Sequence, residues 1–175
     1  MKGVQMKIIN RWFLFLGLTG IMAMSSMALA ADGKADGKLV VDGKPVNLAY
    51  AYAFAQPGFF DKQTEDICVL LTDVPLTGKA LEDNFERMKL TKQGKLHCVE
   101  VTINAKKQAI SVTVRHPSFK MPQSGGSTED DFEATVFDGK VVGGRVFRKS
   151  PGKSFEDLEY TYDVIFSAAI TRKAK

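Results

Sequence analysis

Apolar and polar side chains alternate along long stretches of this chain, which is the pattern of strands that bury one face. The clearest stretch is LAYAYAFA at residues 48–55, where the large side chains of Leu48, Tyr50, Tyr52 and Phe54 share one face and alanines share the other. Further alternating runs follow and are joined mostly by short turns. We therefore predict an all-β, mainly antiparallel fold of about eight strands, arranged as a sandwich or a flattened barrel.

The period changes at residues 79–92, where Leu81, Phe85 and Met88 recur at helical spacing. A helix would bring these three side chains to one side, and Gly94 follows as a stop signal. We therefore predict one inserted helix over about residues 79–92. Because its apolar stripe is narrow, we expect it to cover the edge or the mouth of the sheet.

The pairing of two neighbouring strands predicts a pair of histidines. A four-residue turn joins two alternating runs, and matching Ile103 with Ile110 puts Val101 opposite Val112 and places the apolar residues of both runs on one face. The same register puts His97 opposite His116, with their Cβ atoms roughly 5 Å apart. The other face of these two strands is polar, and we expect it to face solvent.

His97 and His116 are therefore candidate binding residues. Two imidazoles at this distance can begin a zinc or copper site, or act as a pH-sensitive pair. A stable metal site needs further ligands, which the sequence does not identify, and two histidines also close the end of an apolar face without any ligand. We accordingly expect no metal and no other cofactor.

Tyr50 and Tyr52 are the other candidate binding residues. With Tyr160 and Tyr162 they would provide aromatic faces on which sugars or peptides stack. Strand alternation explains the same tyrosines as core residues, and both interpretations stay open at this point.

The N-terminal segment has the features of a secretory signal peptide. Lys2, Lys7 and Arg11 precede an apolar stretch, and Ala28-Leu29-Ala30 matches a cleavage site, so we expect cleavage after Ala30. Residues 31–37 then form a flexible leader, and residues 38–175 a single β domain. The apolar stretch is short for a membrane anchor. The expected location is the periplasm or the exterior, with no stable membrane span after cleavage.

Removal of the signal peptide changes the charge of the protein. The 175-residue sequence has a net charge of +4, and residues 1–30 carry three basic and no acidic residues, so the remainder has a net charge of +1. A nucleic-acid-binding surface needs a clustered excess of Lys and Arg. We therefore expect no nucleic-acid partner.

Both cysteines, Cys68 and Cys98, lie after the expected cleavage site. In an exported protein two cysteines are expected to form a disulfide. A catalytic thiol is the alternative, although the sequence has no Cys-x-x-Cys redox motif.

Several segments together resemble a set of small exported bacterial proteins of unknown function. They are the opening GKLVVDGKPVNLAYAYAF, the run VLLTD, and the closing YDVIFSAAI. The resemblance covers most of the chain after the signal peptide. It implies export and carries over no activity and no catalytic residue.

The sequence contains no recognisable catalytic frame. No serine has the Gly-x-Ser-x-Gly context of a hydrolase, and Phe147 stands where a phosphate-binding loop needs glycine. We expect an exported, non-catalytic binding or interaction module that contacts an envelope or extracellular protein or a small ligand. The alternatives are a metal-binding protein or enzyme that uses His97 and His116, and a barrel that carries a small ligand.

Overall fold

The computed structural model describes residues 33–126 and 128–172. Within them the chain forms ten strands and two short helices. The elements are β1 (Gly33–Val41), β2 (Lys44–Pro57), β3 (Glu65–Thr72), α1 (Lys79–Glu82), α2 (Asn84–Lys92), β4 (Cys98–Ile103), β5 (Ala109–Arg115), β6 (Gln123–Gly125), β7 (Asp130–Phe137), β8 (Val141–Arg148), β9 (Gly152–Lys153) and β10 (Glu159–Thr171).

Nine of these strands form one curled sheet in the order β6-β5-β4-β3-β2-β1-β10-β8-β7, and the short β9 adds to β10. Consecutive strands along the sheet pair in antiparallel fashion. A short additional pairing, between β10 and β2, is parallel. Strands β5 and β7 lie near opposite ends of the sheet and still contact each other. The all-β, mainly antiparallel prediction is confirmed, and the sheet has the shape of a half-barrel.

The inner face of the curl holds the main hydrophobic core. Its side chains alternate with outward-facing residues, as the period of two requires. Leu39, Val69, Val101, Val114 and Val164 are among its fully buried members. The predicted register of β4 and β5 is confirmed from Cys98 to Thr102, since Val101 pairs with Val112 and Val99 with Val114. It is wrong at Ile103, which pairs with Ala109 and not with Ile110, because the register shifts between Thr102 and Ile103.

The alternation of β2 shifts once. Leu48 and Ala51 both lie in the inner core although they are three positions apart, an odd spacing that strict alternation would place on opposite faces, whereas Tyr52 packs on the outer face. The β1–β2 pairing has a register shift between Lys34 and Gly37, close to the same point. The prediction that Leu48 shares a face with Tyr52 is therefore wrong, because the period of two is interrupted in β2 where its pairing with β1 is irregular.

The helical segment covers the outer face of the sheet, and it is two helices rather than one. Asp83 has extended backbone angles, and its side chain accepts a hydrogen bond from the backbone N–H of Phe85, so α2 starts anew there. Leu81 and Phe85 consequently do not share one helical face, and Phe85 is 74% exposed. The residues of α2 that are buried against the sheet are Arg87 and Thr91.

The prediction of a flexible leader over residues 31–37 is wrong from Gly33 onward. Residues 33–37 belong to β1 and pair with β2 on one side and β10 on the other. The signal peptide and its cleavage site at Ala30 lie outside the described residues. Among the described residues, no helix has the length and apolar character needed to cross a membrane.

Candidate functional site

A cleft of about 780 Å³ opens on the outer face of the sheet, between the helices and the connection from β2 to β3. We call it the outer cleft. Phe54, Cys68 and Leu70 line it from the sheet, and Leu81 from α1. Its volume lies within the range of small-molecule sites, which are mostly apolar with a few placed polar groups. The other lining residues are Ala55, Gln56, Pro57, Lys62, Gln63, Thr64, Glu65, Glu82, Arg87, Glu100 and Arg172.

The polar groups of the outer cleft centre on Glu100. Arg115 Nη1 donates to its Oε2 over 2.8 Å, and Arg87 Nη2 lies 3.6 Å from the same oxygen. Arg115 also donates to the Asn84 side chain, which links β5 to α2. The two arginine side chains are only 8% and 5% exposed. The prediction that this side of β4 and β5 faces solvent is therefore wrong at Glu100 and Arg115, because α2 covers both side chains.

The rim of the cleft is held by an ion pair between distant parts of the chain. Arg172 Nη2, just after β10, lies 2.9 Å from Glu65 Oε2 at the start of β3. Arg172 also donates to the Gly139 carbonyl. These contacts link the start of β3 to the end of β10 beside the cleft.

Both cysteines are free thiols in the structure, so the prediction of a disulfide is wrong. Cys68 pairs with Thr102 and Cys98 with Thr72 across β3 and β4. Four residues along the strands therefore separate them, roughly 13 Å at the usual rise. A disulfide needs Cα atoms within about 7 Å.

Neither thiol has the character of a nucleophile. The Cys68 Sγ donates to Glu100 Oε1 over 3.6 Å, and burial together with the negative charge of Glu100 raises the pKa of Cys68. Burial also raises the pKa of Cys98, to about 12. Reactive cysteines are thiolates, so the catalytic-thiol alternative is not favoured.

The two histidines lie side by side, as predicted, at the end of the β4–β5 pair where β4 begins and β5 ends. The rings of His97 and His116 have centroids 4.9 Å apart, and the ring of Phe119 packs 5.6 Å from His116. Sequence reasoning missed the carboxylate beside them. His97 Nδ1 lies 2.6 Å from Asp73 Oδ2, and the His97 backbone N–H donates to the other carboxylate oxygen.

Each histidine has one ring nitrogen already engaged. Asp73 accepts from Nδ1 of His97, because an ionised carboxylate can only accept. Nδ1 of His116 accepts from the backbone N–H of Ser118, so in its neutral form the proton lies on Nε2. His116 would have to break this bond to coordinate a metal through Nε2 as a neutral ligand. Among the described residues, no group of three or more His, Cys, Asp or Glu side chains is placed so that it could hold a metal ion.

The surroundings of His116 leave no room for a substrate. The space beside it, between α2 and the segment that leads to β6, is about 10 Å³. That is about the size of one water molecule. Burial and the neighbouring His97 lower the pKa of His116 to about 4, so it is neutral at pH 7. The pair closes one end of the core, and no reaction is indicated there.

Tyr50 and Tyr52 do not form a stacking platform. Tyr52 is buried, and its hydroxyl accepts from the backbone N–H of Leu76 over 2.9 Å. Tyr50 packs against the same outer cluster. Tyr162 lies on the other side of the sheet, where its hydroxyl donates to Asp130 over 2.7 Å. The four tyrosines therefore serve two different cores.

The interior of the curl is a poor place for a ligand. Core side chains fill it, and the opening between β5 and β8 holds about 240 Å³. The main ion pair there joins Arg148 Nη1 to Asp130 Oδ1 over 2.7 Å, while the buried Nε of Arg148 has no hydrogen-bond partner among the described residues. A ligand-carrying barrel would need an apolar cavity of several hundred Å³ inside the sheet.

No protein-family model, curated protein or solved structure matches this chain. The site is therefore argued from its own geometry.

The outer cleft was not predicted from the sequence. One signal was present, since the register of β4 and β5 places Glu100 diagonally beside Arg115 on one face. A helix that carries an arginine, instead of an apolar residue, on the side that packs on the sheet would be expected to cover such a charged face. The sequence does not give the direction in which the helical segment folds back.

Proposed function

We propose that this chain is an exported, non-catalytic binding module that holds a small ligand in the outer cleft. The observation that carries the proposal is the combination of an apolar floor with buried charge. Phe54 and Leu70 provide the floor, and Arg87 and Glu100 lie beside them in a cleft of about 780 Å³. This is the usual composition of a small-molecule site. Export is supported by the charge and apolar pattern of residues 1–30.

The side chains in the cleft favour binding over catalysis. A general base or nucleophile needs a pKa near the working pH or an activated thiolate. The thiol of Cys68 has a raised pKa and donates to Glu100. Glu100 in turn is held by Arg87 and Arg115. These groups bind and orient, and none of them is arranged to exchange protons with a substrate.

The test is a fragment screen by two-dimensional NMR on the protein, with a panel of small amphipathic molecules. We expect bound fragments to shift the backbone signals of Phe54, Cys68, Leu70 and Leu81 together. A panel that shifts no signals around the cleft, or only signals elsewhere, would contradict the proposal.

A matched pair of variants locates the binding. Gln56→Trp adds a large side chain to the exposed rim of the cleft, whereas Gln93→Trp makes the same change at the exposed end of α2. The first variant should weaken fragment binding at least tenfold, because the indole fills part of the cleft. The second should bind like the parent protein. Equal binding by both variants would place the ligand outside the cleft.

A further inference from the structure

Three connections between strands lie at one end of the half-barrel. They are the β2–β3 loop (58–64), the β4–β5 turn (104–108) and the β7–β8 turn (138–140). The strand registers bring all three to the end of the sheet where β10 finishes. Arg172, just after β10, links two of them, because it pairs with Glu65 at the base of the loop and donates to the Gly139 carbonyl in the turn. We call this region the basic end.

Two phenylalanine side chains project from the β2–β3 loop. Phe59 and Phe60 are 71% and 79% exposed, and their rings meet edge to face with centroids 5.0 Å apart. The Phe59 backbone N–H donates to the buried Asp66 carboxylate over 2.7 Å, and the Gly58 N–H donates to the Thr64 carbonyl over 2.9 Å. These bonds hold the backbone that presents the rings. Because exposed apolar area costs free energy in water, a partner that covers both rings gains from the contact.

Four exposed lysines share the basic end with these rings. They are Lys62 in the loop, Lys106 and Lys107 in the β4–β5 turn, and Lys140 in the β7–β8 turn. Within the part of the chain that the structure describes, none of the four forms an ion pair, whereas three lysines elsewhere do. Their ammonium groups are therefore available to a partner that carries negative charge.

The exposed acids at the basic end are fewer and already engaged. Oδ1 of Asp61 accepts the Gln63 N–H, and Oδ1 of Asp138 accepts two N–H groups of its own turn. Glu65 pairs with Arg172. Among the described residues of this end, five exposed side chains are basic and three are acidic. The exposed charge is therefore positive around a pair of apolar rings.

This combination favours a lipid surface over a protein surface. The buried core of a protein interface is depleted of lysine, and a stable interface covers about 800 Å² on each partner, which is far more than two rings at a loop tip offer. At a bilayer surface, aromatic side chains enter the headgroup region while lysines stay in water and attract anionic lipids. The arrangement of Phe59, Phe60 and the lysines matches this second case.

We propose that the basic end docks on an anionic lipid bilayer, with Phe59 and Phe60 inserted among the headgroups and the lysines against lipid phosphates. Docking does not require a ligand in the outer cleft, so this proposal and the proposed function fail separately. The attraction of the lysines is electrostatic and weakens as salt screens it.

The first experiment measures binding of the exported protein to vesicles by co-sedimentation. One set of vesicles contains phosphatidylglycerol and phosphatidylcholine in equal parts, and the other contains phosphatidylcholine alone. Binding to the anionic vesicles should be at least about tenfold tighter and should weaken with added salt. Every variant below shares the N terminus of the parent protein, so any contribution from residues 1–30 is the same in each.

Matched pairs of variants locate the contact. Phe59→Ser with Phe60→Ser should weaken binding to anionic vesicles by at least about tenfold, because both rings leave the bilayer. Phe85→Ser with Phe155→Ser removes two exposed rings outside the basic end and should bind like the parent protein. These substitutions lie at exposed positions, and thermal unfolding checks that each variant folds.

A second matched pair tests the charges. Lys106→Gln with Lys140→Gln should remove most of the preference for anionic vesicles. Lys44→Gln with Lys153→Gln changes two exposed lysines at the opposite end of the sheet and should keep the preference. Equal effects of the two pairs would mean that net charge alone, and not the basic end, sets the preference, which overturns the proposal.

A tryptophan reporter tests insertion directly. The one tryptophan of the sequence, Trp12, lies in the expected signal peptide and gives the same background in every variant. Phe60→Trp should shift its emission to shorter wavelength on anionic vesicles and be quenched by lipids with brominated chains. Phe155→Trp, at the opposite end of the sheet, should show neither change.

Three results would overturn the proposal. The first is equal binding to both sets of vesicles, and the second is equal quenching of the two tryptophan variants. The third comes from sedimentation equilibrium without lipid: a dimer of the parent protein that dissociates when Phe59 and Phe60 are replaced by serine would assign the rings to an interface between two copies. Fragment binding in the outer cleft would stand or fall independently of all three.

Discussion

Asp73 holds His97 at two points: its Oδ2 lies 2.6 Å from the ring Nδ1 and its Oδ1 accepts from the His97 backbone N–H over 2.8 Å. Asp73 follows β3 and His97 precedes β4. The backbone N–H of Asp73 donates to the carbonyl of His97 in return. The contact therefore ties the ends of two central strands where the chain leaves the sheet for the helices.

Asp73→Asn should lower the free energy of unfolding by about 1–3 kcal/mol at pH 7, because it removes a charged acceptor. Burial acts to raise the pKa of Asp73, but the hydrogen bonds from His97 outweigh it and lower the pKa below its usual value. This stability is present above the unfolded pKa, about 3.9, and is lost as the pH falls through the folded pKa. Urea unfolding from pH 7 to pH 3 measures it.

The control for this prediction is Asp36→Asn, at an exposed position of β1. It should change the free energy of unfolding by less than about 0.5 kcal/mol. A difference between Asp73→Asn and the parent protein that stays constant down to pH 3 would contradict the role given to the charge.

His116→Asn should remove a loss of stability that the parent protein shows between about pH 6.5 and pH 4. The folded pKa of His116 is about 4, below its ordinary value of 6.5. In that window the unfolded chain takes up a proton that the folded protein does not, so stability falls as the pH falls. The slope is at most about 1.4 kcal/mol per pH unit.

The asparagine side chain offers an acceptor to the Ser118 N–H in place of Nδ1, so the local turn is kept. The charged groups that act on the pKa of His116 are His97, Asp73 and Lys44, and Lys92, Arg115 and Lys120 line the small space beside it. The titration of the His116 ring, followed by NMR, gives the folded pKa directly. A midpoint near 6.5 in the folded protein would rule the explanation out.

The two thiols should be protected in the folded protein and free in the unfolded one. Burial raises the pKa of both cysteines, and only thiolates react readily. Iodoacetamide at pH 8 should therefore add nothing to the native protein and two groups after unfolding in urea without a reductant, as measured by intact mass. Unfolded protein that gains two groups only after reduction would show that a disulfide exists.

Gly144→Ala should destabilise the protein by about 1–3 kcal/mol. A Cβ at this position would overlap the carbonyl oxygen of Glu133 and approach the Phe132 ring to 2.8 Å. Gly144 lies opposite the point where the β7–β8 register shifts, and the added Cβ would also lie 3.0 Å from Cα of Ala134 in the neighbouring strand. Thermal and urea unfolding give the difference in stability.

Gly125→Ala is the matched control, because a Cβ there meets nothing within 4 Å. We expect a change of less than about 0.5 kcal/mol. Equal effects of the two substitutions would mean that the close approach at Gly144 is not what requires glycine.

The sequence by itself determined the local structure of this protein, namely its strands and the pairing of strands that follow each other in the chain. Alternation with a period of two depends on neighbouring residues, and it predicted the strands, the pairing of Val101 with Val112 and the meeting of His97 with His116.

Only the tertiary structure decided which residues the strands bring together across the sheet. The cysteines were expected to pair because both are present, but the β3–β4 register keeps them four residues apart. The helical segment packs over Glu100 and Arg115, which turns a predicted solvent face into a buried charge cluster with a cleft beside it. Periodicity shows which side of an element is apolar, whereas the path of the chain decides what packs against the other side.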